Sequence, residues 1–110
     1  MSRYNSVPNQ ITQQPWTVYI LRCSDGSLYT GITTDIERRF VEHQQGSKQA
    51  KSLRGKTVES IVFTLEVSSR NEALKIEAYI KRLPKARKEL LVAGDEAMEG
   101  MLFEGMTSEA

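Results

Sequence analysis

Apolar positions along the chain fall into two kinds of pattern. Three short runs carry strand-like residues, and two longer stretches repeat at helical spacing. The run Trp16-Thr17-Val18-Tyr19-Ile20-Leu21-Arg22-Cys23 is dense in β-branched and aromatic residues and predicts a strand. Ser24-Asp25-Gly26 is a turn signal. Leu28 to Ile32 predicts a second strand, so the two make a hairpin. Thr34-x-x-Glu37 fits a capping box and opens a helix in which Ile36 and Phe40 face the core, with Gly46 as its stop. A polar loop follows over 46–57. Val58 to Val67, with Ile61, Phe63, Leu65 and Val67, predicts a third strand. Ser69-x-x-Glu72 is a second capping box. It opens a helix with Ala73, Ile76, Ile80 and Leu83 on one face, which Pro84 should end. A short helix through Leu90 and Leu91 closes at Gly94. Met98, Met101, Leu102 and Phe103 leave the last stretch open, either docked as a helix or loose.

The order is ββα-β-αα. Three strands cannot bury their apolar residues alone, so helices must cover them, giving a small α+β (mixed α/β) sandwich. Residues 1–14 read as a flexible arm, 15–93 as the folded body and 94–110 as an acidic, partly apolar tail.

The hairpin loop decides where two tyrosines point. A two-residue Asp25-Gly26 turn would send Tyr19 and Tyr29 to opposite faces. A three-residue Ser24-Asp25-Gly26 loop, with Gly26 in the left-handed position, pairs Cys23 with Ser27 and Tyr19 with Gly31. Both phenols then share one face, with open space over Gly31. The three-residue loop is expected.

Composition adds an asymmetry. All 15 Lys and Arg lie at or before Lys88, while five of the 14 acids follow Gly94, so residues 1–93 carry +6 and the remainder −5. A basic body suggests an anionic partner such as a phosphate backbone. In the 46–57 loop Lys48, Lys51, Arg54 and Lys56 are the candidate contacts. A single Cys and a single His exclude a Cys/His zinc site, and Cys23 reads as a small core residue. No apolar run spans a bilayer, and the N-terminus lacks a secretory pattern, so a cytoplasmic, monomeric protein with no membrane contact is expected.

Three groups of residues invite a chemical reading. With Ala73 at zero on a helical wheel, Ile76 and Ile80 fall at roughly 300° and 340°, and Glu77 at roughly 40°, inside the apolar arc. A carboxylate there is either paired with Lys81 one turn on, or held for a hard cation such as Mg²⁺. Arg39 and His43 flank the Ile36/Phe40 stripe. They are either solvated at a helix edge or turned to a phosphate and a proton. Tyr19 and Tyr29 are either core aromatics or part of the same cluster.

Taken in order, these residues resemble a known family. Thr17-Val18-Tyr19 followed by Tyr29-Thr30-Gly31 resembles the paired motif of GIY-YIG nuclease domains. So does the continuation Ile32-Thr33-Thr34-Asp35-Ile36-Glu37-Arg38-Arg39-Phe40-x-x-His43, and so does Glu77 within Glu72-Ala73-Leu74-Lys75-Ile76-Glu77-Ala78-Tyr79-Ile80-Lys81. The short single-domain form looks like the UPF0213 (YhbQ-like) group. The resemblance covers residues 15–90. It implies a three-stranded antiparallel sheet flanked by helices, and Mg²⁺- (or Mn²⁺-) dependent hydrolysis of a phosphodiester in nucleic acid, DNA ahead of RNA, with weak sequence preference. It implies that Glu77 holds the metal, that Arg39 binds the scissile phosphate, and that Tyr29 or Tyr19 orients or deprotonates the attacking water with His43 assisting. Thr17-Val18 stands where the family name has Gly-Ile, and Pro84–Lys88 lacks an asparagine that many members carry. That absence motivates an alternative, a nucleic-acid-binding module without turnover. The Met98/Met101/Phe103 segment motivates another, a protein-interaction domain.

Overall fold

A computed structural model describes residues 14–46 and 53–107, with side chains to residue 102. The arm over 1–13, and Lys48 and Lys51 of the polar loop, lie outside the described residues. The elements are β1 (Trp16–Cys23), β2 (Leu28–Thr33), α1 (Ile36–Gln45), β3 (Val58–Val67), α2 (Arg70–Arg82), α3 (Lys85–Val92) and α4 (Glu96–Thr107). The strands form one antiparallel sheet in the order β2-β1-β3, so the most apolar strand is central and both of its neighbours are edges.

The three-residue hairpin is present. Gly26 has φ of 87°, its N–H donates to the Cys23 carbonyl at 2.9 Å, and the Cys23 N–H donates to Ser27 at 2.9 Å. The Asp25 carboxylate accepts from the Ser27 N–H at 2.9 Å and fixes the turn. Tyr19 therefore lies opposite Gly31.

Alternation along β1 splits the core in two. Val18 and Ile20 pack on one face with Ala73, Ile76 and Ile80 of α2, Leu91 of α3, and Met98 and Leu102 of α4. Tyr19, Leu21 and Cys23 pack on the other with Leu53 and Val58, flanked by Ile36 and Phe40 of α1. A bulge in the β1–β3 ladder after Ile20 lets Val62 and Phe63 both serve the first face.

One cap differs from expectation. The N-cap of α1 is Asp35, whose carboxylate accepts from the Arg38 N–H at 3.1 Å, rather than Thr34. The Thr33 hydroxyl takes the Asp35 N–H at 3.1 Å, which sets the helix start one residue later. Ser69 caps α2 as expected, and the Glu72 carboxylate reaches back to Ser69 while accepting most strongly from Ser68. Leu83 is extended at the end of α2, as the ring of Pro84 requires.

The segment after Gly94 docks. Met98 and Leu102 are almost fully buried against α2 and α3, so the apolar core continues past residue 93. Met98 is thereby taken up in the core rather than offered to a protein partner. Among the described residues no helix is long and apolar enough to cross a membrane.

Candidate active site

The cluster is built around the Tyr19 ring, which lies across the edge strand. A Cβ placed on Gly31 would come 2.5 Å from the Tyr19 hydroxyl, so only glycine at that position lets the phenol lie flat over β2. The hydroxyl ends beside α1 and is hydrogen-bonded to Nε2 of His43 at 3.0 Å. Tyr29, from β2, completes a three-ring group. Its centroid is 6.3 Å from that of Tyr19 and 5.3 Å from that of His43, the latter edge-on. Tyr19 and His43 are essentially inaccessible, whereas Tyr29 is half-buried.

Burial pushes the Tyr19 phenol up to about 12; Tyr29 and Glu77 add to the rise, and Arg39 opposes it. The Arg39 guanidinium and, most weakly, the Glu77 carboxylate thus act on the same hydroxyl. Burial also holds the His43 imidazole below its ordinary 6.5. The charge of Arg39 adds to this and Glu42 opposes it. The Arg39 guanidinium is desolvated, but its bond to Glu42 and its position beside Tyr19 keep it firmly charged.

Glu77 reaches this point from the far side of the sheet. It sits three and four residues from Ile80 and Ala73, at the margin of the buried stripe of α2. That helix packs over β1 and along the β2 edge, and the edge is where the two faces of the sheet meet. The Glu77 side chain is 17 % exposed and its Oε2 lies 3.1 Å from Nζ of Lys81. The pairing with Lys81 is therefore present, and the same carboxylate is also weakly coupled to the Tyr19 hydroxyl.

Glu42 escaped the sequence reading. Its carboxylate accepts from Arg39 at 2.9 Å and from Arg38 at 2.8 Å, which orients the Arg39 fork. The signal was in the chain, because acids three and four residues from a basic pair share its helical face. Of the proposed loop cations, Arg54 is exposed. Lys56 is tied to the hairpin turn, 3.1 Å from Ser27 Oγ and 3.6 Å from Asp25.

The donor set bears on a metal. Among the described residues no group of three or more His, Cys, Asp or Glu side chains comes together. Glu77 stands as a single hard oxygen donor at the margin of the cluster. A single carboxylate suits an ion that keeps most of its water and shares itself with a substrate phosphate, as Mg²⁺ does. A shallow concavity elsewhere, between β3 and α4 and lined by Phe63, Thr64, Leu65, Glu99 and Leu102, contains none of these residues.

Comparison with known proteins gives the family. The GIY-YIG catalytic domain matches residues 15–89. A UPF0213 protein of Cronobacter sakazakii is 53% identical over 88 residues, covering 80% of this chain and 92% of that one. The UPF0213 protein YhbQ of Salmonella arizonae is 50% identical over 88 residues, covering 80% and 87%. A UPF0213 protein from Bacillus halodurans, solved by NMR, is 43% identical and covers 74% of this chain and 85% of its own, with a TM-score of 0.48. The matched span runs from the strand that carries Tyr19 to the helix that follows Glu77, and with it the chain belongs to the GIY-YIG catalytic domain family and to its UPF0213 group.

Proposed function

We propose that this chain hydrolyses phosphodiester bonds in nucleic acid, DNA in preference to RNA, at the Tyr29–Arg39–Glu77 cluster. The family implies nuclease-type chemistry. The observation that supports the finer reading is the Tyr19–Tyr29–His43 ring group at one strand edge, with Arg39 and, more weakly, Glu77 coupled to the Tyr19 hydroxyl. Phosphoryl transfer asks mainly for placement and for charge neutralisation, and this set can supply both.

Arg39, oriented by Glu42, presents a planar fork suited to the scissile phosphate and to the charge that grows on it. Tyr29 is the phenol within reach of solvent and orients the attacking water by a hydrogen bond. As the water oxygen bonds to phosphorus, the P–O ester bond opposite it breaks, the water proton passes to bulk solvent, and the leaving oxygen takes one from it. Tyr19 is buried and reluctant to ionise. It serves instead as a positioning residue, with His43 behind it. Glu77 would hold a divalent metal, which when bound supplies positive charge to the phosphate oxygens.

Cleavage of plasmid and single-stranded DNA across a Mg²⁺ titration tests this, with Glu77→Gln, Arg39→Ala and Tyr29→Phe beside wild type. Each variant should lose about 10²- to 10³-fold, the usual cost of removing one electrostatic stabiliser. Equal cleavage by all four would overturn the assignment. Nucleic-acid binding with no Mg²⁺-dependent cleavage by wild type would favour the binding-module reading, which the missing asparagine in Pro84–Lys88 suggests.

A further inference from the structure

The end of α2 and the start of α3 carry five cations within eight residues: Lys81, Arg82, Lys85, Arg87 and Lys88. No acid occurs between residues 78 and 88. Four of the five are exposed and Lys88 is half-buried. Lys81 and Arg82 suit the negative end of α2. The other three do not suit their helix. The first turn of α3 contains no acid, and Pro84 provides no side-chain cap, so the positive end of that helix is crowded with like charge. A segment that breaks its own local rule without internal compensation points to something outside the fold.

Compensation within the chain is slight. Lys81 pairs with Glu77 at 3.1 Å and Lys85 with Glu89 at 3.2 Å. Glu89 is already gripped by both Arg22 nitrogens, at 2.6 and 2.7 Å. Arg82, Arg87 and Lys88 have no ion pair among the described residues. The Arg22–Glu89 bond and the buried Leu91 clamp α3 to β1, so the ridge is fixed relative to the tyrosine cluster. Lys81 lies one turn from Glu77 on the same helical face. The ridge therefore starts at the acid of the candidate site and leads away from it.

We propose that the Lys81–Lys88 ridge is a phosphate-backbone track. It holds nucleic acid along α3 while the scissile bond lies at the cluster, and it rests on the phosphodiesterase reading above. Backbone contacts of this kind carry no base specificity.

The test is equilibrium binding in EDTA, where a metal-dependent enzyme does not turn over, read by fluorescence anisotropy across a salt series. The probes are a short labelled DNA duplex and an RNA duplex of the same sequence. The proteins are wild type, Arg82→Gln/Arg87→Gln/Lys88→Gln, and Arg70→Gln, an exposed cation at the opposite end of α2. The slope of log K against log salt should fall by about 0.9 for each lost phosphate contact, so by about 2 to 3 in the triple variant and not at all for Arg70→Gln. The Tm of the triple variant should stay close to wild type, because the relief of repulsion in the first turn of α3 offsets the loss of Arg82 at the negative end of α2. The DNA and RNA arms show which backbone is preferred. A triple variant that keeps the wild-type slope overturns the ridge and leaves the cleavage reading intact. Ridge-dependent binding without cleavage in Mg²⁺ overturns the cleavage reading and leaves the ridge. Absence of salt-dependent wild-type binding to either duplex overturns both.

Discussion

Gly31 lies directly beneath the Tyr19 hydroxyl, so close that a single added methyl group would sit 2.5 Å from it. The family motif thus encodes a contact: the glycine of the second half is the floor on which the tyrosine of the first half rests. Gly31→Ala should force the ring off its seat and break the hydrogen bond to His43. Overpacking of this kind costs about 1–3 kcal/mol. Urea denaturation should show the loss, and cleavage should fall with it. A variant with wild-type stability would mean that the ring has room the structure does not show.

Tyr19 also predicts an alkaline weakness. Its phenol is neutral in both folded and unfolded states below pH 10. Above that the unfolded chain ionises, while the folded protein waits until about 12. Stability should therefore decline between pH 10 and 12, by about 2–3 kcal/mol if that shift is fully expressed. Tyr19→Phe should lack this component of the decline. Absorbance titration at the phenolate band, compared with the variant, gives the ionisation directly.

His43 predicts the acid counterpart. Its folded-state pKa lies below 6.5, so the unfolded chain takes up the proton first as pH falls. The stability owed to neutral His43 is present above 6.5 and is lost as pH drops through the folded value. Protonation would also set a second cation beside Arg39 and disturb the bond to Tyr19. The imidazole signals in NMR should titrate late relative to a free histidine, and His43→Gln should flatten the acid dependence of Tm. An ordinary titration midpoint would contradict the buried arrangement.

The C-terminal helix predicts a stability effect where the sequence left docking open. Leu102 is 1% exposed within the larger core cluster. Leu102→Ala should cost about 2–5 kcal/mol, as for other buried leucines. Ending the chain at Gly94 should cost more, because it also uncovers the α2 and α3 surface beneath Met98. Thermal denaturation decides this, and unchanged melting of the shortened protein would show that α4 adds nothing to the fold.

The sequence by itself determined the three strands, the first three helices and the hairpin register. These follow from short-range rules. Residues Ser24-Asp25-Gly26 specify a turn whose left-handed glycine fixes Tyr19 against Gly31, and Pro84 stops α2 whatever surrounds it. Side-chain periodicity also marked Glu77 as a carboxylate on an apolar face. Only the tertiary structure decided which of these residues meet. Tyr19 and Glu77 are far apart in the chain and serve opposite faces of the sheet. Their proximity depends on how α2 lies along the β2 edge and on the space over Gly31. Burial was decided there as well. The pattern placed His43 at a helix edge, and packing closed it off beneath Tyr19, because the α1 stripe is completed by the phenol rather than by an aliphatic residue. The fate of residues after Gly94 depended in the same way on a long-range surface, since Met98 and Leu102 find their partners on α2 and α3, not among their neighbours in sequence.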